Sequence, residues 1–294
     1  MTGFRLLTLF AAMAASLPVY AQQFLPVSGI VNARDLGGYA VSGSMLIKDG
    51  MLLRAAHLAD ATDSDLQYLA RIPVAKIVDF RQEEEMQGKD DRMIEGAAYV
   101  NLPIDASGNA AAEASEKEKK RFGGKKKFDV KKIIVMLAFN ERAKKVAGNL
   151  YPNLIFDPQC QRNYAEFFRL VLDTESGAVL FHCTQGKDRT GIASALLLSA
   201  LGADRETVVT DFDATNRIYA DDVKKYSRRV KLFGGKDEEV AVVEAFIGAN
   251  TRNFIKTLEL VDLEYGSMDA YLKGPIGLSE ADILTLRERY LVKK

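Results

Sequence analysis

The sequence predicts an α/β fold in which a central, mostly parallel sheet is flanked by helices. Three observations carry that expectation. Short β-rich runs alternate with helical stretches. At residues 178–201 an apolar strand runs through a glycine-containing loop straight into an apolar helix. The composition, 48% hydrophobic and 27% charged, is that of an ordinary globular protein. The 294 residues suffice for one α/β unit carrying an insertion, and residues 22–294 are read as a single domain.

Taken in order, the chain opens with Arg5, an apolar run from Leu6 to Leu17, and small residues at Val19 and Ala21. That pattern predicts a secretory signal at 1–21, cleaved after Ala21, and hence an exported protein, periplasmic or secreted. The run is shorter than the roughly 20 apolar residues a membrane anchor needs. Gly29 to Tyr39 ends in a turn, Met51 to Arg54 forms a strand, and Thr62 or Asp63 caps a helix reaching Arg71. Val74 to Phe80 and Tyr99 to Ile104 are further strands, the first closed by Arg81 and the acidic Glu83, Glu84 and Glu85. Residues 106–158 differ in character. Nine Lys and Arg between Lys117 and Lys132 face only Glu118 and Asp129, so the segment reads as an inserted helical, basic lid. A helix from about Gln161 to Leu172, the strand Ala178 to His182 and the helix Thr190 to Leu201, closed by Gly202, follow. A second basic stretch, Lys224 to Lys236, holds six cations and no acid. The last 55 or so residues look helical, with Ser279 capping a final helix above Asp282.

Charge and cysteine content narrow the function classes. Forty Lys and Arg balance 40 Asp and Glu, which disfavours a basic nucleic-acid binder. Two cysteines and two histidines supply neither a disulfide framework nor a Cys/His zinc cluster, so no metal or other cofactor is expected.

The chemistry concentrates in His182-Cys183-Thr184-Gln185-Gly186-Lys187-Asp188-Arg189-Thr190-Gly191. Successive N–H groups from Thr184 to Arg189, at a helix N-terminus, can wrap one tetrahedral oxyanion. Gly186 permits the tight path, and Arg189 returns to the mouth as a fork for two phosphate oxygens. The same field favours a thiolate at Cys183, and a thiolate beneath a phosphate cradle implies in-line attack on phosphorus, a phosphocysteine intermediate and hydrolysis by water.

His-Cys-x5-Arg-Thr-Gly resembles the signature loop of the cysteine-dependent protein tyrosine phosphatase superfamily. With Gly-Lys-Asp-Arg inside it, the loop is similar to that of bacterial exported tyrosine and dual-specificity phosphatases. Asn32 to Gly38, Asp79-Phe80-Arg81 and Glu264 to Leu272 extend the resemblance over most of residues 29–291. It implies a protein tyrosine phosphatase-like fold and a phosphorylated protein as partner. The chain has no tryptophan, so the Trp-Pro-Asp acid loop of the large enzymes is absent as written. Asp105, after Asn101 to Ile104, holds a position similar to the general acid of dual-specificity phosphatases, and Asp188 inside the loop is the other candidate, ahead of Asp79 and Asp157. The resemblance also gives Lys187 a role as a second cation, which would suit phosphoinositides or inositol phosphates as alternative substrates. His182 is expected to orient the loop, and Thr184, Gln185, Gly186 and Thr190 to line the phosphate site. The basic stretches are candidates for a lid or for transient contact with an anionic membrane. Cys160, the other thiol, is a candidate partner for Cys183 in a reversible disulfide. A catalytically idle phosphate-binding module is the competing class; intact Cys183 and Arg189 argue against it.

Overall fold

The β-rich runs and the apolar helices assemble around one central strand. The computed structural model describes residues 23–105, 135 and 137–294. The segment expected to be a signal and residues 106–134, which include the first basic stretch, lie outside the described residues. The strands are β1 (Gln23–Phe24), β2 (Arg34–Asp35), β3 (Ala40–Val41), β4 (Met45–Ile47), β5 (Leu52–Ala56), β6 (Val74–Asp79), β7 (Ala98–Asn101), β8 (Ala178–Cys183) and β9 (Leu291–Lys293). Six of them form a sheet in the order β1-β2-β5-β8-β6-β7, parallel from β5 to β7 and antiparallel at the β1 and β2 edge. A second, antiparallel sheet, β3-β4-β9, brings the last residues of the chain beside Met45–Ile47.

The helices are α1 (Asp63–Leu69), α2 (Glu83–Met86), α3 (Glu141–Phe156), α4 (Pro158–Leu172), α5 (Asp188–Leu201), α6 (Arg205–Leu232), α7 (Asp237–Phe246), α8 (Thr251–Tyr265), α9 (Met268–Lys273) and α10 (Glu280–Tyr290). Their ends obey local chemistry. Thr62 and Asp65 close a capping box on α1, Ser279 and Asp282 do so on α10, and Gly202 ends α5 at φ +94°. Among the described residues no helix is long and apolar enough to cross a membrane.

All six residues of β8 are buried, and the pleat sorts them by parity. Val179, Phe181 and Cys183 share one cluster with Leu52 and Val78, covered by α4 and α5, while Ala178 and Leu180 join Leu53 and Ile77 on the α1 side. An edge-on contact of Phe167 with Phe80 and a tilted one with Phe181, at centroid separations of 5.3 and 5.1 Å, fill the first face. Helix α5 is buried nearly all round, as its run of apolar residues dictates. The four parallel strands end together, so the loops after β5, β6, β7 and β8 gather at one edge, where open α/β sheets bind ligands.

The structure corrects the boundary of the expected lid. Residues 141–156 are no appendage: Tyr151, Leu154 and Ile155 of α3 belong to the main core. The interior Pro152 removes a helical donor to the Gly148 carbonyl, and Asn253 of α8 replaces it, donating at 2.9 Å to Gly148 and 3.1 Å to Ala147. Asn140 caps the start of the helix by accepting from the amides of Arg142 and Ala143.

Two of the buried arginines share one carboxylate. Arg54 of β5 and Arg34 of β2 both contact the Asp211 carboxylate of α6, Arg34 at 3.4 Å, and Arg34 also donates to the Asp211 carbonyl at 3.1 Å. Burial opposes the charge on Asp211, but the two guanidinium groups hold it ionised, below its ordinary range. Burial and the neighbouring Arg54 in turn lower Arg34 to about 10. Removing the single carboxylate would strand two buried cations. Asp211→Ala is therefore expected to cost about 3–5 kcal/mol in urea unfolding; a loss below about 1 kcal/mol would show that the arginines are otherwise compensated.

Candidate active site

Cys183 ends β8, and the next four residues turn back to start α5 at Asp188. What shapes this turn lies behind it. The Gly186 carbonyl accepts from Asn32 Nδ2 at 2.7 Å and from Arg54 Nη2 at 2.8 Å, and the Gln185 carbonyl accepts from Asn32 Nδ2 at 3.3 Å. With those oxygens drawn toward the core, the amides of Thr184 to Arg189 make no backbone hydrogen bond among the described residues. They form an anion cradle at the positive end of α5. Gly186 has φ +62°, and a Cβ there would fall 2.4 Å from the Ala55 carbonyl, so only glycine lets the loop lie this close to β5.

Arg189 is aimed by Glu85 of α2. Its Nη1 and Nη2 each donate to a different Glu85 oxygen at 2.6 Å, and Nη1 also reaches the carbonyls of Phe80 at 3.0 Å and Ile104 at 3.4 Å. Thr184 Oγ1 donates to Glu85 at 2.5 Å. Burial disfavours the Glu85 carboxylate, yet Arg189, Thr184 and the Gln82 amide together hold it at about 2. Among the described residues Nε of Arg189 has no partner, and Nη2 has one further contact, Thr184 at 3.5 Å. The edge formed by Nε and Nη2 is thus the one left for two oxygens of a phosphoryl group. Sequence reading passed over Glu85 because it is one of three consecutive glutamates, and nothing in the run singles it out.

The other candidates separate clearly. Lys187 is buried and turned away from the mouth: its Nζ donates to the carbonyls of Ala245 and Gly248 at 2.7 and 2.6 Å and lies 3.4 Å from Asp188. The second cation expected beside Arg189 is not there, because the C-terminal carbonyls of α7 and its following turn take it. Asp188 opens α5, accepts from Tyr151 Oη at 3.1 Å and lies 3.4 Å from Lys187 Nζ. Asp79 is buried against Arg81, and Asp157 caps α4. Asp105 is exposed at the rim, next to Ile104, and its carbonyl accepts from Cys160 Sγ at 3.4 Å. Burial and the nearby Asp157 and Asp105 push the Cys160 thiol up to about 12, so it stays protonated; both cysteines are free thiols. Thr190 Oγ1 is buried with no hydrogen-bond partner among the described residues. Tyr219 of α6 also faces the loop: burial, then Cys183 and Asp188, push its phenol up to about 12.

His182 is fully buried and makes no contact with the mouth. Nδ1 lies 3.6 Å from Asp79 and Nε2 3.2 Å from Asp91, beneath the loop. It therefore supports the strand that ends in Cys183 and does not line the anion cradle. Asp79, Asp91 and His182 are close enough together to suggest a metal site. Arg81 already serves both carboxylates, through Nε and Nη2 on Asp79 and Nη2 on Asp91 at 2.7 Å, while Tyr99 donates to Asp79 at 2.8 Å. With the guanidinium in place the cluster is an ion-pair network. Sequence reading gave no role to Asp91, Tyr99 or Arg54, whose only signal is residue type, and it placed Asn32 in a motif without its contact to the loop.

The Glu85–Arg189 pair has a defined pH window. Glu85 is near 4.5 when unpaired and about 2 in the fold, so the pair contributes fully above about pH 5 and loses its contribution as pH falls toward 2. The stability difference between wild type and Glu85→Gln is expected to shrink over that interval, and a difference independent of pH would remove the carboxylate as its source. At neutral pH the same variant is expected to lower kcat/KM by about 10- to 100-fold through misaimed Arg189.

Comparison with known proteins agrees with this geometry. A family model described as the tyrosine phosphatase family matches residues 25–292. A Cupriavidus necator protein, provisionally named a tyrosine-protein phosphatase, is 27% identical over 277 residues, 94% of this chain and 92% of its own. A tyrosine-protein phosphatase of Nostoc commune is 27% identical over 241 residues, covering 81% of this chain and 73% of that protein. The triple specificity protein phosphatase PtpB of Mycobacterium tuberculosis is 25% identical over 281 residues, 88% and 96% of the two chains. Among solved structures, TpbA of P. aeruginosa in complex with pTyr aligns at a TM-score of 0.33 and 15% identity, over 72% of this chain and 97% of its own. With the loop, its arginine fork and a family match spanning nearly all described residues, the chain belongs to the tyrosine phosphatase family.

Proposed function

We propose that this protein is an exported phosphatase that hydrolyses phosphotyrosine through a phosphocysteine intermediate at Cys183. The observation that carries the reading is the convergence of the buried nucleophile, the amide cradle and the Nε/Nη2 edge of Arg189 on one loop. The thiolate of Cys183 attacks phosphorus in line, an S–P bond forms as the P–O bond to the tyrosine oxygen breaks, and the cradle and Arg189 stabilise the charge on the equatorial oxygens. A carboxylic acid gives the leaving oxygen its proton. Asp105 suits that role better than Asp188, because Asp105 is exposed at the rim, whereas the Asp188 carboxylate is engaged by Tyr151 and Lys187. Water then attacks the phosphocysteine, Asp105 takes up its proton, and the S–P bond breaks to release inorganic phosphate and restore the thiolate.

Two points support phosphotyrosine over phosphoinositides. Two of the relatives above carry tyrosine phosphatase in their names. The ammonium of Lys187, the one feature of the loop that suggested extra phosphates, is spent on backbone carbonyls. Export rests on the Leu6–Leu17 run with Val19 and Ala21 before the cut, and the mass of the protein recovered outside the cytoplasm should correspond to a chain starting at Gln22.

The mechanism is tested by phosphate release in chelator from phosphotyrosine peptides and from mono- and polyphosphorylated inositides. Cys183→Ser should abolish turnover and keep phosphate binding; residual activity above about 1% would end the covalent scheme. Asp105→Asn should slow poor leaving groups by about 100-fold or more and an activated aryl phosphate far less. Uniform slowing would exclude Asp105 as the acid, and faster turnover of inositides than of peptides would overturn the substrate class.

A further inference from the structure

Helix α6 passes the active-site mouth at Tyr219 and continues for thirteen more residues, about 20 Å, before it ends. Its inner face is fixed: Tyr226 and Val230 pack with Val242 and Val243 of α7. Its outer face has no packing partner among the described residues. Arg217, Lys224, Arg228 and Lys231, spaced by seven, four and three residues, form one exposed stripe, and among the described residues none of the four has an ion-pair partner. From Arg217 to Lys236 seven cations face two acids, Asp221 and Asp222. Asp237 and Glu238 open the next helix.

The end of this stripe is apolar. Leu232 is 84% exposed and Phe233 74%, the most exposed phenylalanine among the described residues. They stand out because the chain reverses immediately afterward. Gly234 has φ +83°, and a Cβ on Gly235 would fall 2.4 Å from Val230, so the turn closes against the inner face and leaves the two large side chains outside it. A neighbouring Leu and Phe in water beside a row of unpaired cations is costly for a surface that meets only solvent. It matches an interface whose outer layer is anionic and whose next layer is hydrocarbon.

We infer that the tip formed by the end of α6 and the turn into α7 docks on an anionic phospholipid bilayer, the cations meeting lipid phosphates and Leu232 and Phe233 entering the acyl boundary. The charge complementarity selects the occupant: a second copy of this chain would bring a like-charged stripe against this one. Docking through the tip holds the catalytic mouth about 20 Å from the lipid surface, within reach of phosphorylated segments of membrane-bound proteins. This inference does not depend on which residue is the general acid or on the preferred phosphomonoester.

The test is co-sedimentation of the mature protein with vesicles of phosphatidylcholine alone and of about one-third phosphatidylglycerol in phosphatidylcholine, at low and physiological salt. Wild type should bind only the anionic vesicles and release as salt rises. Lys224→Ser, Arg228→Ser and Lys231→Ser combined should weaken partition by about 100-fold, since each basic residue at such a surface is worth about fivefold. Leu232→Ser with Phe233→Ser should also reduce it, and both variants should hydrolyse a soluble aryl phosphate at the wild-type rate, which shows that they are folded. Absence of binding to anionic vesicles, or binding unchanged in both variants, would overturn the inference. Concentration-dependent self-association abolished by Leu232→Ser with Phe233→Ser, without vesicle binding, would replace the bilayer with a second copy.

Discussion

The Gly186 carbonyl, held from behind by Arg54 and Asn32, is the contact on which the site depends. A peptide plane has two ends, and fixing its oxygen toward the core fixes the direction of its neighbours' N–H groups. The requirement spreads outward. A guanidinium buried to make that bond needs a counter-charge, which Asp211 provides from α6; Asp211 in turn carries Arg34, whose strand adds the antiparallel edge. Edge strand, long helix and nucleophile loop are thus members of one electrostatic unit. A lone buried guanidinium is too costly to persist, so these parts stand or fall together.

A second charged unit lies on the other side of β8. Arg81 joins Asp79 and Asp91, with His182 against both carboxylates, while Glu85 takes Arg189. The Arg81 cluster and the Glu85–Arg189 pair both draw on residues at and just after the end of β6, which presents side chains to the loop edge. The nucleophile's strand is therefore gripped by charge on both flanks and by aromatic packing on its α4 and α5 face. Such surroundings suit a loop that must keep its shape while a doubly charged group enters and leaves, since preorganised donors need no rearrangement in the transition state.

Much of this was legible in the sequence, and the limits follow from what a sequence encodes. β6, β8 and α5 appear as apolar runs bounded by turn chemistry, and the α1 and α10 caps as Thr or Ser placed three residues before Asp. The loop is legible because its function requires fixed residue types at fixed separations. Lys187 shows what spacing does not give: it belongs to the loop, but a long side chain goes where acceptors are, and the carbonyls of Ala245 and Gly248 arrive from nearly sixty residues away. Helix α3 was hidden by Pro152 and by basic surroundings, its apolar positions being read as part of an insertion. The three-stranded sheet was invisible because its strands are two or three residues long and its last partner sits at the chain terminus.

That last pairing has a bearing on how the molecule is made. Strand β4 is completed only by Leu291–Lys293, and the Lys48 amide waits for the Tyr290 carbonyl. The carbonyl left open by Pro152 likewise waits for Asn253, a hundred residues downstream. Each of these bonds joins segments far apart in sequence, so loop-closure entropy must be paid before it forms. Without Leu291–Lys293 the β4 edge would be left open to other strands, and β9 is the latch that withdraws it.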